Sequence, residues 1–314
     1  MGAKTVLVYI KPLSVFPKLH SDTLFGAILS AMSELYPDKI DEMINEFENN
    51  NPQFLISSTF PFVFVENDKK RFLPKIILKS KLDKFDDISA LKEYKKVEFI
   101  EEDIFFDIIN QKISENDIIN SFDKYHRAGN LLMTKDYNMS FGFENVILPN
   151  NSINRLTNET EAIFYSEGLE YGNMGLYFYV DILNEEYESI IKSCLKYLRD
   201  KGFGRDVSTG KGHFDYEIED SNLDKNSGNR FITLSRFIPT DDDLSSIISD
   251  ANYELESKRG RDKSGEIRKQ IRFFKEGSTF RNSKEIYGKI VKSGVNVPAC
   301  EYGYAFTVNY DEVS

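Results

Sequence analysis

The stretch GLYFYVDILNEEYESIIKSCLKYLRDKGFGRDVSTGKGHFDYEIE, Gly175 to Glu219, contains a predicted strand, helix, glycine-rich loop and second strand in direct succession. GLYFYVDIL is aromatic and β-branched, which favours a strand. The following segment predicts a helix with one apolar stripe, an N-cap at Asn184 and a stop at Gly202; the stripe comprises Tyr187, Ile190, Ile191, Cys194, Leu195 and Leu198. HFDYEIE then predicts a strand.

The amino-terminal segment predicts the first half of a similar unit. TVLVYI, Thr5 to Ile10, favours a strand, and HSDTLFGAILSAMSELYP has apolar residues at helical spacing. We expect Ser21 or Asp22 to cap this helix and Pro37 to end it. Residues 54–65, FLISSTFPFVFV, predict one or two strands with a break at Pro61.

The remaining segments complete an α+β prediction. Residues from about 66 to 170 read as a long insertion with short helices and hairpins, and 220–229 as a polar linker. Beyond the linker, FITLSRFI predicts a strand, Thr240 a helix cap, and NYELES, IRFFKE and YAFTVNY further strands. We therefore expect two tandem ferredoxin-like (RRM-like, β-α-β-β-α-β) domains, at 1–222 and 229–314. The first carries the insertion and the glycine-rich loop 202–212.

Charge is distributed unevenly along the chain. The 314 residues include 40 basic and 51 acidic ones, a net charge of −11. The segment from Lys258 to Lys292 has twelve Lys or Arg against four Asp or Glu, so the remainder carries 28 basic and 47 acidic residues. Such separation is typical either of a positive binding face on an acidic body or of a solvated charged surface.

Several classes of protein are disfavoured. Cys194 and Cys300 are the only cysteines, which excludes a disulfide framework. No apolar run approaches the roughly 18 residues that span a bilayer, so we expect a soluble, cytoplasmic protein with no membrane contact. His20, His126 and His213 are scattered and no carboxylates have metal-ligand spacing, so no metal or cofactor is predicted. The aspartates at 241–243 are expected to be helix caps.

The glycine-rich loop has three interpretations. A nucleotide-binding P-loop is disfavoured, because five residues separate Gly204 from Gly210, Lys211 is followed by Gly212, and a helix precedes the loop. A purely structural loop explains the glycines. We favour a loop that lays backbone N–H groups along a phosphodiester backbone, because this also uses Arg205, Ser208, Thr209 and Lys211 as phosphate donors.

A resemblance to a known family rests on this loop and on segments at both ends of the chain. A helix running into G-x-G…S-x-G-x-G and a strand is similar to the glycine-rich loop of RAMP-superfamily CRISPR proteins. Within that superfamily the chain resembles subunit four of the type III-A (Csm) interference complex. The supporting segments are VLVYIKPLS, HSDTLFGAI, NRLTNET, GLYFYVDI, GFGRDVSTGKGHF, FITLSRFIP, IRFFKEGS and YGYAFTVNY. Val207 stands where the family usually has a basic residue, and Arg205 is the expected substitute.

The resemblance implies a non-catalytic scaffold in antiviral defence. It implies that the chain holds the repeat-derived 5′ tag of the CRISPR RNA, caps the backbone filament of RAMP subunits and contacts the large polymerase-type subunit. We expect twelve residues near the RNA, entering from the first strand–helix junction, from NRLT and from the glycine-rich loop: Lys11, His20, Arg155, Gly202, Gly204, Arg205, Ser208, Thr209, Gly210, Lys211, Gly212 and His213.

His20 also supports an alternative function. Histidine serves as acid or base in metal-independent RNA cleavage, so a precursor-processing endoribonuclease acting through His20 stays open. Its formal partners are Tyr9, Lys11, His126 and His213. A helix-cap or RNA-contact role for His20 is preferred, and the resemblance implies the same.

The aromatic residues fit RNA binding without requiring it. Bases of single-stranded RNA stack on aromatic rings and guanidinium planes. Phe203 and the run Tyr125-His126-Arg127 are candidates, whereas most of the 42 Phe and Tyr residues are expected in the core.

Overall fold

The computed structural model describes residues 4–65, 68–79, 88–134, 137, 142–154, 156–157, 159–204, 210–223, 227–260, 267–294 and 300–312. A mixed nine-stranded sheet forms its centre, in the order β11-β1-β10-β3-β4-β5-β7-β6, with β2 also paired to β10. Its strands are β1 Lys4–Pro12, β2 Phe54–Ile56, β3 Phe60–Val65, β4 Asp68–Pro74, β5 Phe99–Glu101, β6 His126–Ala128, β7 Leu131–Met133, β10 Met174–Ile182 and β11 Phe214–Asp220.

Strand order at one end of this sheet follows a simple rule. If the inserted strands β4 to β9 are set aside, β1, β2 with β3, β10 and β11 come first to fourth along the chain. In the sheet they lie side by side in the order fourth, first, third, second. All of their pairings are antiparallel. Two helices, α1 Ser21–Leu35 and α6 Glu186–Lys201, connect them and pack together on one face. Phe54 contacts both helices, with its ring centroid 6.0 Å from Phe25 of α1 and 6.1 Å from Tyr187 of α6.

The predicted break at Pro61 is wrong. Pro61 lies inside β3 opposite Leu176, and the interruption falls at Ser57–Thr59 instead. There the Ser57 hydroxyl accepts from the Tyr179 amide at 2.9 Å, and the Ser57 amide donates to the Tyr179 carbonyl at 3.0 Å. Ser57 thus stays bonded to β10, whereas the Ser58 and Thr59 amides donate to the Leu234 and Leu19 carbonyls.

The segment between β3 and β10 combines short helices and hairpins, as its mixed pattern predicts. It extends the sheet through β4, β5, β7 and β6, and adds the long hairpin of β8 Glu144–Ile153 and β9 Thr160–Glu170. The helices here are α3 Ile88–Tyr94, α4 Glu102–Ile109 and α5 Glu115–Asn120; α2 Ile40–Glu48 precedes them in the first half.

The carboxy-terminal half contains a smaller sheet of three strands in the order β15-β12-β18, with short separate hairpins beside it. The predicted cap at Thr240 is confirmed, because Thr240 and Asp243 form a reciprocal capping box at the start of α7 Asp241–Ile247. Among the described residues between β15 and β18 there is no helix. The strands are β12 Arg230–Thr233, β13 Leu255–Lys258, β14 Ile271–Phe274, β15 Thr279–Arg281, β16 Val291–Lys292, β17 Cys300–Glu301 and β18 Thr307–Tyr310.

The larger hydrophobic core includes residues from both halves, and a second, smaller cluster lies within the carboxy-terminal half alone. Phe306 stacks on Tyr179 of β10 with ring centroids 5.7 Å apart, and Tyr302 lies 4.9 Å from Phe25 of α1. The Tyr302 hydroxyl also accepts from the Ile56 amide at 3.0 Å. No helix in the described part of the chain is long and apolar enough to cross a membrane.

A buried ionic cluster joins α1 to the carboxy-terminal half, which corrects the predicted helix cap. His20, not Ser21 or Asp22, is the N-cap residue, and its side chain makes no capping bond. The Asp22 carboxylate instead accepts from Arg236 at 3.1 Å and pairs with Lys258, while the Ser21 hydroxyl accepts from the Arg236 amide at 3.0 Å. Asp22 and Arg236 side chains are 4% and 10% exposed.

Replacing Asp22 by alanine is expected to lower the free energy of unfolding by about 3 kcal/mol, because Arg236 then loses its closest counterion in a buried site. Denaturant unfolding measures the change. Asp41→Ala on exposed α2 is the control and should cost less than about 1 kcal/mol. Equal effects of the two substitutions would contradict this assignment.

Candidate nucleic-acid interface

The glycine-rich loop has a firmly anchored base. Gly202 ends α6 with φ of 89°, as predicted, and its amide donates to the Leu198 carbonyl at 2.8 Å. The Phe203 amide donates to the Gly212 carbonyl at 2.8 Å, and the Gly212 amide donates to the Val15 carbonyl at 3.0 Å. The two sides of the loop are thereby held together on the segment that follows β1. Arg205, Ser208 and Thr209 lie outside the described residues.

The four loop glycines fall into two classes, although all have positive φ. Gly202 and Gly212 are buried, and a Cβ on Gly212 would overlap the backbone of Phe203. Gly204 and Gly210 are exposed, and a Cβ on either would meet no atom within 4 Å. Packing therefore requires glycine at 212, whereas the open backbone at 204 and 210 is accessible to a ligand.

Three predicted site residues lie beside this loop. Lys11 is exposed near the end of β1, opposite Asp215 of β11, and forms no ion pair within the described ranges. Lys211 is partly exposed between the two described glycines of the loop's second side. The His213 amide donates to the Ser14 hydroxyl at 3.1 Å, and its carbonyl accepts from the Leu13 amide at 2.9 Å. Lys211 thus adjoins the open backbone of Gly210, and Lys11 lies on the strand that pairs with the one following the loop.

His20 belongs to a different cluster. Its Nδ1 lies 2.8 Å from Glu276 Oε1, and the Ser58 hydroxyl donates to the same oxygen. Burial alone would raise the pKa of the Glu276 carboxyl. The hydrogen bond and charge of His20 and the Ser58 hydrogen bond outweigh this effect, and the pKa is lowered to about 2. Because an ionised carboxylate only accepts, His20 Nδ1 must donate, and Nε2 is left for another partner.

Two neighbouring concavities connect these clusters. His20 and Glu276 line a cavity of about 600 Å³, together with residues of the insertion. A second cavity of about 340 Å³ shares Lys18 and Phe99 with the first and reaches Leu169 at the base of the β8–β9 hairpin. The Leu169 carbonyl accepts from the Phe16 amide at 2.9 Å. The segment 13–20 therefore runs from the glycine-rich loop to the larger cavity.

Arg155, the predicted contact from NRLT, lies outside the described residues. Its neighbours Asn154 and Leu156 form the end of the β8–β9 hairpin, where the Asn154 side chain accepts from the Leu156 amide at 2.9 Å. This hairpin exposes large apolar side chains that the sequence reading did not single out: Ile147, Ile153, Leu156, Ile163, Phe164 and Tyr165.

The aromatic candidates have other roles. Phe203 is wrong as a stacking platform, because its side chain is only 8% exposed and packs on Phe16 with ring centroids 5.8 Å apart. Tyr125 is partly buried against the core. The Arg127 guanidinium pairs with Glu93 at 2.7 Å, which occupies it within the insertion.

Several basic side chains of the segment 258–292 form ion pairs with carboxylates of the same chain. Lys258 pairs with Asp22 of α1 and Lys292 with Glu48 of α2, so both join the two halves. Arg268, Lys275 and Lys284 pair with Glu301, Glu254 and Asp243. Arg259, Lys269, Arg272, Arg281 and Lys289 form no ion pair within the described ranges.

Metal ligation finds no support in the described ranges, where no group of three or more His, Cys, Asp or Glu residues is arranged to hold an ion. Of the residues that line the interface, Lys18, Lys75 and Glu276 escaped the sequence reading. Glu276 contacts a histidine 256 positions away, a separation that no local pattern reports.

Comparison with known proteins finds similarity to Csm4 proteins. The family described as the CRISPR Csm4 C-terminal domain matches residues 226–310. A Csm4 protein of Streptococcus thermophilus is 26% identical over 294 residues, covering 86% of this chain and 83% of the relative. Together these similarities support a type III-A Csm4 subunit.

Solved structures of Csm4 proteins have the same fold. One is a Csm3–Csm4 subcomplex of the type III-A interference complex, with a TM-score of 0.70, 18% identity, and coverage of 98% of this chain and 100% of the other. Another is a Csm1–Csm4 cassette bound to pppApA, with a TM-score of 0.59, 18% identity and 98% coverage of both chains. This chain therefore shares their mixed α/β fold with a large sheet.

Substituting Gly212 by alanine is expected to destabilise the protein by about 3 kcal/mol, because the added methyl overlaps Phe203 and the backbone has positive φ. Gly210→Ala, which has the same sign of φ and open space, should cost about 1 kcal/mol. Thermal and denaturant unfolding compare the two. The distinction between buried and exposed loop glycines fails if Gly210→Ala is the more damaging change.

Glu276→Gln is expected to remove a pH-dependent part of the stability. Between about pH 4.5 and 2 the unfolded chain binds a proton at residue 276 that the folded chain does not, so this stabilisation of about 3 kcal/mol is complete above pH 4.5 and is lost as the pH falls toward 2. Urea unfolding at several pH values measures the difference between wild type and variant. The exposed Glu254→Gln is the matched control; a difference independent of pH would count against the assignment.

Proposed function

We propose that the chain is a non-catalytic RNA-binding subunit that holds the repeat-derived 5′ tag of the CRISPR RNA and caps the backbone filament. The observation that carries this proposal is the open backbone of Gly204 and Gly210 beside Lys11 and Lys211. Exposed main-chain N–H groups next to basic side chains suit phosphate oxygens. An overall acidic protein still binds RNA when its cations converge on one such surface.

Two protein partners follow from the family. The related Csm4 proteins occur in structures with Csm3 and with Csm1. We infer that this chain likewise contacts a backbone subunit of the Csm3 kind and the large polymerase-type subunit, in the cytoplasm.

The RAMP-type ferredoxin-like architecture belongs to the same proposal. The strand order fourth, first, third, second, with two helices on one face, supports a first ferredoxin-like unit whose last connection is the glycine-rich loop. In the second half, one helix and three paired strands support a reduced unit of the same kind.

Tag recognition is tested by RNA binding in EDTA across a salt series, with a labelled RNA carrying the 5′ tag and a scrambled-tag control, with and without the backbone subunit. Wild type should prefer the tag. Arg205→Ala/Lys211→Ala should weaken binding at least about tenfold and reduce the slope of log affinity against log salt by about 1.4, because each lost phosphate contact on single-stranded RNA removes about 0.7.

Lys192→Ala/Lys196→Ala is the control, since it removes the same charge from the exposed face of α6. It should leave both the slope and the tag preference nearly unchanged. Absence of a tag preference in the wild type, even with the backbone subunit present, would mean that the loop is structural and would overturn the proposal.

A metal-independent endoribonuclease acting through His20 is the alternative. One observation favours it: Glu276 orients the His20 ring at a cavity, as a carboxylate does for a catalytic histidine. Against it, Tyr9 is buried and its hydroxyl accepts from Arg71 at 3.0 Å, while Lys11 and His213 lie beside the loop. RNA shortened in EDTA by wild type and left intact by His20→Ala would establish this activity.

A further inference from the structure

We propose that the 600 Å³ cavity beside His20 is a pocket for a single nucleobase turned out of the bound RNA strand. This inference rests on the proposed RNA-binding function and adds a base-binding site to it. The cavity lies where three parts of the chain meet: the β2–β3 junction at Ser58–Phe60, the insertion, and the segment Lys275–Glu276. Its volume lies within the range of ligand pockets in proteins, about 300–1,000 Å³.

The walls of the cavity have the character of a base-binding site. Aromatic and aliphatic side chains from β3, β5, α3, α5 and the segment after β4 contribute to them: Phe60, Phe99, Tyr94, Ile119 and Ile76. Apolar and aromatic side chains suit the face of a heteroaromatic ring, and stacking on aromatic side chains is the common way of holding an unpaired RNA base.

The Lys75 ammonium supplies spare N–H donors inside the cavity. Its ammonium lies 3.8 Å from the centroid of the Tyr94 ring and donates to the Tyr94 carbonyl at 3.1 Å. No carboxylate of the described residues lies within 4 Å of it, and burial lowers the pKa of Lys75. A half-buried ammonium with spare protons is suited to the keto or ring-nitrogen acceptors of a base.

The cavity that contains Lys75 is also lined by a hydrogen-bond acceptor and a further ring nitrogen. Glu115 also lines the cavity, and burial raises the pKa of its carboxyl. His20 adds the Nε2 that its bond to Glu276 leaves unused. Donors and acceptors are thus both available, as the edge of a base requires.

Cations at the mouth suit the phosphates on either side of such a base. Lys18 and Lys95 line the same cavity and are exposed, whereas Lys275 is partly buried and paired with Glu254. Lys18 also belongs to the 340 Å³ cavity that extends toward the β8–β9 hairpin, next to the segment that holds the glycine-rich loop. A strand bound at the loop therefore has a continuous path to the pocket.

The test is a scan of the tag with one base removed at a time, leaving every phosphate in place. Wild type should lose at least about tenfold in affinity at one position. Lys75→Met should bind the intact RNA about five- to tenfold more weakly, and removing the base at that position should then cost less than twofold. Because Lys75 contacts a base, its replacement should leave the salt slope unchanged, unlike Lys211→Ala.

Lys92→Met, on the exposed side of α3 and outside the cavity, is the matched control and should behave as wild type. As a measurement independent of variants, a photo-crosslinking base at the sensitive position should label the peptide containing Tyr94 and Phe99. Tag-specific binding in which no single base matters, or independent costs for the base and for Lys75, would overturn the pocket alone. Absence of tag-specific binding by wild type would overturn the proposed function as well.

Discussion

The buried carboxylate of Glu276 is the contact on which the arrangement of the molecule depends. It receives hydrogen bonds from His20 at the start of α1 and from Ser58 between β2 and β3, and so joins the first sheet to the carboxy-terminal half. Gly277 follows with φ of 87°, and its carbonyl accepts from the Ile77 amide at 2.8 Å. A side chain there would overlap the Lys75 backbone, so the insertion is fixed against the same segment.

This junction explains why two kinds of ligand-facing surface lie close together. The glycine-rich loop offers main-chain groups and lysines, which suit phosphates whatever the sequence of the RNA. The cavity beside His20 is enclosed by side chains of differing chemistry, which suits the reading of a base. Segment 13–20 connects the two, because the loop is bonded to Val15 and the cavity is lined by Lys18 and His20.

Local patterns predicted the elements better than the contacts between them. β1, β10, α6, the stop at Gly202 and the capping box at Thr240 follow from residues within a few positions of one another. Ser21 and Asp22 have an equally good capping pattern, yet both accept hydrogen bonds from Arg236, which is 214 or more positions away in the sequence. Lys75 could not be recognised from the sequence for the same reason: its contact with the Tyr94 ring and its place in the cavity depend on tertiary packing.

The charge composition revealed the uneven distribution of charge along the chain, but not which charged residues pair with one another. The sequence left open whether the basic segment 258–292 is a binding face or a solvated surface; in the structure Lys258 and Lys292 neutralise acidic residues of α1 and α2. The loop glycines were recognisable from the sequence as a group, whereas the difference between the buried Gly212 and the exposed Gly210 depends on the approach of Phe203.

The shared core also bears on the order in which the protein is made. Tyr302 and Phe306 pack against α1 and β10, so residues near the end of the chain complete a core begun by residues at its start. During synthesis the amino-terminal half leaves the ribosome first, and the apolar surface that Tyr302 and Phe306 cover stays exposed until those residues emerge. Chaperones or an early-bound partner have their greatest effect on such a protein during this interval.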